Sequence, residues 1–183
     1  MKKTKNVVIF SLFVFIFSLV YFVYARFLGG VTSNEETFLT EIGEIFGGLG
    51  FAALAVIYGR TVLKLGLGKG GLARRILPEA YTGMGLSLLK KLLQFLNKTH
   101  IYVGITAVAA IVLHAGFMGL TDQNLLLILV FALVLWQAVF GFFLFWRYSP
   151  RELRKVSYLV HAQFLSGIMI GIFAFFGHLL AGD

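Results

Sequence analysis

The chain reads as an all-α integral membrane bundle of five spanning helices, forming a single membrane domain over residues 1–183. Three observations predict this. Of the 183 residues, 59% are hydrophobic and only 13% charged, where a soluble domain carries about 45–50% apolar and about 25% charged residues. Five apolar stretches, roughly 7–27, 43–63, 99–120, 124–146 and 156–180, approach the ~20 residues that cross a hydrocarbon core. The basic residues, finally, are confined almost entirely to alternate connections.

The first stretch follows MKKTKN. Its apolar run is longer than the h-region of a signal peptide, and no small-x-small cleavage site precedes the next loop, so it reads as a membrane helix. The second carries small residues at Gly48, Ala52, Ala55 and Gly59. Those offsets share one helical face and are expected to admit a close neighbour. The connection 64–98 begins with the Gly-rich, basic KLGLGKGGLARRILP. It lacks the residue order of a phosphate-cradling loop, and contact with anionic lipid is its simplest role. Its second part, GLSLLKKLLQFLNK, is expected to form an interfacial helix or a helical extension of the third span. The third and fifth stretches hold every histidine of the chain, and the fourth runs between them.

Lys2, Lys3 and Lys5 precede the first span. Arg60, Lys64, Lys69, Arg74, Arg75, Lys90, Lys91 and Lys98 lie around the second connection, and Arg147, Arg151, Arg154 and Lys155 around the fourth. Arg26 is the one cation on the other side, where Glu35, Glu36, Glu41, Glu44, Asp122 and Asp183 gather. By the positive-inside rule the N-terminus is expected in the cytoplasm and the C-terminus outside, in a multi-pass cytoplasmic (inner) membrane protein. The net charge of +8 thus reflects topology and membrane lipid rather than nucleic acid. The chain has no cysteine. That excludes thiolate-held iron–sulfur clusters, disulfides and covalent attachment of c-type haem.

Ionisable side chains inside a membrane are costly and usually functional. His100 and His114 fall in THIYVGITAVAAIVLHAGFMG, His161 and His178 in SYLVHAQFLSGIMIGIFAFFGHLL. Two histidines on each of two spanning helices is an arrangement that holds haem iron between helices. His100 and His114 are separated by about 21 Å of helical rise and point within about 40° of one another. Gly104 lies between them on that face, and Gly167 and Gly171 share a face with His178. Such small residues leave room for a flat macrocycle. The third and fifth spans run in the same direction, so the expected axial pairs are His100 with His161 on the inner side and His114 with His178 on the outer side. His161 fits less well, since on a continuous helix it is turned about 100° from His178. Zinc is disfavoured, because the histidines of each helix are too far apart and no carboxylate lies at their depth.

LQFLNKTHIYVGITAVAAIVLHAGFMG resembles the H-x(13)-H helix of small bacterial b-type cytochromes and of ferric-reductase-like transmembrane domains. FGFFLFWRYSPRELRK, VHAQF and GHLL look like the next helix, basic turn and second histidine helix of that group, so the resemblance covers about residues 92–180. It implies two bis-histidine haem b groups and electron transfer across the membrane, with His100 and His114 as the first ligand pair. His161 and His178 match the second pair at a longer spacing than the ferric-reductase-like pattern. Arg147, Arg154 and Lys98 are candidates to meet inner haem propionates, and Arg26 an outer one. Gln137 and Gln163 are candidates to hydrogen-bond a quinone or a ligand histidine. The expected partners are a quinone pool, other redox subunits of a complex or an outer-side cytochrome. Two other functions fit the same residues: direct reduction of ferric iron or a small molecule at the outer face, and a haem-free structural or assembly subunit whose histidines serve packing.

The charge asymmetry yields a test. Single cysteines introduced as Ser33→Cys and Ser87→Cys are expected to react with impermeant thiol reagents from opposite sides of the membrane. Labelling of both from one side would refute the five-span topology.

Overall fold

A computed structural model of the chain describes residues 2–28, 37–67, 84–119 and 124–181. These residues form six helices: α1 (Lys2–Leu28), α2 (Phe38–Leu67), α3 (Met84–Met118), α4 (Leu125–Phe145), α5 (Arg151–His161) and α6 (Phe164–Ala181). Five of them, all but α5, are long and apolar enough to cross a membrane. Large apolar side chains cover the outside, with Phe13 68% and Phe27 77% exposed. In lipid that is the expected surface, and the helices satisfy their own backbone polar groups.

The bundle has two parts. In the first, α2 and α3 pack as an antiparallel pair along a seam of small residues. A Cβ on Gly43 would lie 3.0 Å from Met118 Sδ, and one on Gly50 would lie 2.8 Å from Ile111 Cγ1. At the far end of the seam Arg60 Nε donates to Asn97 Oδ1 at 2.7 Å. The second part joins α1, α4 and α6 around a core of Val14, Ala25, Leu126, Phe173, Phe176 and Leu180. Phe176 meets Phe15 edge-on at 5.3 Å and Phe22 at 5.8 Å. Asn124 caps α4, accepting from Leu126 and Leu127 amides. Its Nδ2 donates to the Gly177 carbonyl at 2.9 Å, tying the start of α4 to the end of α6. α3 packs on α4, which joins the two parts.

Two expectations are corrected, and one left with two forms is resolved. The small-residue stripe Gly48, Ala52, Ala55 and Gly59 faces outward, and nothing lies within 4 Å of a Cβ built on Gly48 or Gly59. The face that approaches α3 is the neighbouring one, Gly43, Gly47, Gly50 and the buried Ala53. The span expected at 156–180 is two helices. α5 ends at Ala162, whose amide bonds to Tyr158 O, and Gln163 N bonds to Val160 O in a tighter turn. The charged sequence RELRKVSYLVH belongs to a short helix ahead of the apolar α6 rather than to the span itself. The segment GLSLLKKLLQFLNK takes the second of its two expected forms: it lies wholly within one continuous 35-residue helix with the third span. The Gly-rich basic run falls mostly outside the described residues.

Candidate functional site

The histidines meet across the junction of the two parts. His100 of α3 faces His161 at the end of α5, with ring centres 6.0 Å apart and planes at 61°. His114 of α3 faces His178 in the last turn of α6, again at 6.0 Å, with planes at 39°. The break at Ala162–Gln163 removes the rotational mismatch of a continuous helix, because His161 and His178 sit on different helices. α3 and α6 are not among the closely packed helix pairs, so the His114–His178 contact spans helices that otherwise stand apart.

Two rings are fixed by the same local device. His114 Nδ1 lies 2.8 Å from the Gly43 carbonyl oxygen, and His161 Nδ1 lies 2.9 Å from the Gln137 carbonyl oxygen. A carbonyl only accepts, so both Nδ1 atoms donate, and in the neutral ring Nε2 is then the atom with the lone pair. Each accepting carbonyl belongs to a helix and has a second lone pair to offer. Four residues further along stands a glycine in each case, Gly47 or Gly141. Helical Cβ atoms tilt toward the N-terminus, so a side chain at that position would cover the carbonyl. A Cβ on Gly47 would come within 2.8 Å of His114 Nδ1, and one on Gly141 within 2.9 Å of His161 Cε1. The glycines let an imidazole lie flat against a neighbouring helix and reach its backbone.

The remaining candidates sort as follows. Gly104 is half-buried, and no atom lies within 4 Å of a Cβ built on it or on Gly171. Gly167 is covered by the ring of Tyr58, which reaches from α2 to α6. Arg26 stands exposed at the end of α1, the helix that packs on α6. Arg154 directs Nη2 to the Trp146 and Arg147 carbonyls at 3.3 Å each and so ties the turn before α5. The Gln137 side chain donates through Nε2 to Ser166 Oγ and meets no histidine among the described contacts; it is the Gln137 main-chain carbonyl that faces His161 Nδ1. Gln163 is exposed in the break, and Trp136 stacks edge-on with Phe140 at 4.7 Å.

Sequence reasoning missed Gly43, Gly47, Gly141, Tyr58 and Arg60. The glycine four residues after a carbonyl is a signal the sequence does carry, but only the partner helix reveals which glycines matter. Among the described residues no three His, Cys, Asp or Glu side chains converge as metal ligands. The donors come as facing pairs, which suits a metal whose other positions are filled by its own macrocycle. A bare zinc ion would need at least three protein donors. No family model matches this chain, and neither a curated protein nor a solved structure is significantly similar to it.

The imidazole-over-glycine contacts set a prediction. Gly47→Leu and Gly141→Leu are each expected to cost about 1–3 kcal/mol, the usual penalty for overpacking. Gly48→Leu, on the open face, is expected to be near neutral. Unfolding of the purified protein in detergent measures all three, and equal losses would contradict the account.

Proposed function

We propose that the chain is a b-type membrane cytochrome of the cytoplasmic membrane, N-terminus inside. It holds two haem b groups, inner between His100 and His161 and outer between His114 and His178. It carries electrons across the membrane between a quinone pool or cytoplasmic donor and an outer-side acceptor, as a subunit of a redox complex. The observation that carries this reading is the repeated 6.0 Å separation of facing imidazoles at two levels. At that separation both imidazoles of a pair would be close enough to hold one metal ion between them.

Other features support it. The protonated Nδ1 of His114 and His161 leaves Nε2 as the only ligating atom, and the carbonyl contacts orient each ring and raise its basicity. The open space beside Gly104 and Gly171 accommodates a flat group. Arg60, bonded to Asn97 one helical turn before His100, is the best-placed intramembrane cation for an anionic substituent on the inner side. The two sites are about 21 Å apart along α3, so the pair together spans most of a hydrocarbon core. Bound haem supplies a reversible one-electron carrier. The chain's part is to fix four rings, to surround them with apolar side chains and to divide the crossing into two stages.

Purified protein carrying His100→Ala, His161→Ala, His114→Ala or His178→Ala tests the assignment. Each single variant is expected to lower the pyridine haemochrome stoichiometry from about two haems per chain to about one. The same-pair double variants lose no further haem, and the cross-pair doubles lose both. Wild-type protein without haem from haem-replete cells would favour the structural-subunit reading instead.

A further inference from the structure

Hydroxyls in these helices commonly donate back to a main-chain carbonyl about one turn earlier. Ser11, Ser18, Thr61 and Thr99 reach the carbonyl four residues back, and Thr40 and Ser166 the one three residues back. Ser149 and Ser157 do not. Ser157 in α5 is 0% exposed and Ser149, in the turn before it, is 8% exposed, yet neither Oγ has a partner among the described residues. The only other buried side-chain polar atoms in that condition, among the described residues, are His100 Nδ1 and Gln137 Oε1. All four lie in the half of the bundle that holds the basic connections. Ser149 closes the turn, its amide donating to the Trp146 carbonyl, Ser157 lies four residues before His161, and His161 bonds to the Gln137 main-chain carbonyl while facing His100. Ser157 and His161 are one turn apart on one face, about 6 Å along the helix, a gap that one water bridges. In the other half, His114 Nδ1 and the Asn124 side chain have partners.

Buried polar groups are satisfied by protein or by ordered water, and a buried water needs two to four polar partners. We propose that the seam between α4 and α5 binds a file of ordered water running from Ser149 past Ser157 to the His100–His161 pair. That file connects this pair to the aqueous phase on the basic side. The proposal stands on the serines and does not require iron at the histidines.

The cysteine-free chain makes the test clean. Ser157→Cys and Ser18→Cys place thiols at two positions that are equally inaccessible, both 0% exposed. A small water-soluble methanethiosulfonate reacts only with a hydrated thiolate, so Ser157→Cys is expected to label about tenfold faster or more than Ser18→Cys. Equal rates overturn the proposal. Ser157→Ala provides a second, independent reading from its melting temperature. Removing a hydroxyl that water satisfies lowers Tm, whereas removing an orphaned one raises it. A raised or unchanged Tm overturns the proposal, also where the cysteine variant fails to fold.

Discussion

The structure depends on an imidazole N–H reaching a backbone carbonyl inside a neighbouring helix. A helical carbonyl is normally screened by the side chain four residues on. Gly47 and Gly141 remove that screen, and the Gly43 and Gln137 carbonyls each take a proton from a histidine of another helix. In lipid there is no hydrophobic drive between helices, so small residues and interhelical hydrogen bonds carry the association. The same two contacts therefore hold α2 against α3 and α5 against α4, and they aim two rings at their partners. Packing and ligand orientation are one interaction here, and a change at either glycine disturbs both.

The helix inventory was largely legible in the sequence. Apolar stretches of spanning length are governed by bilayer thickness, which is common to all membrane helices. The facing of His100 toward His161, and of His114 toward His178, follows from chain direction and helical rise. The break after His161 was harder to see, because neither proline nor glycine marks it. The signal was compositional: four cations and a glutamate crowd residues 147–155, and a span does not begin on such charge. The small-residue stripe was misread for a different reason. α2 carries two interleaved sets of small residues, and spacing alone cannot say which meets α3. The ring of His114, which fits only over Gly47, decides the register. Tyr58 over Gly167 belongs to the same class of long-range fact.

The two histidine pairs differ in their surroundings. The outer pair lies between α3 and α6, next to the tight cap that Asn124 makes on Gly177. The inner pair lies at a helix break near Arg60 and, on the same helix as His161, Ser157, whose hydroxyl has no partner among the described residues. A group held by one pair and a group held by the other would experience different dielectrics, and environment of this kind sets reduction potential. The fold thus places two similar histidine pairs in unlike surroundings.

The central claim is that each facing histidine pair binds one iron through both rings. Low-temperature electron paramagnetic resonance of the purified, oxidised protein tests it most directly. The account predicts two distinct low-spin ferric haem signals of similar intensity, because both irons have two strong-field imidazole ligands in different surroundings. An absence of haem signals, or high-spin signals alone from iron with an open axial position, would contradict it.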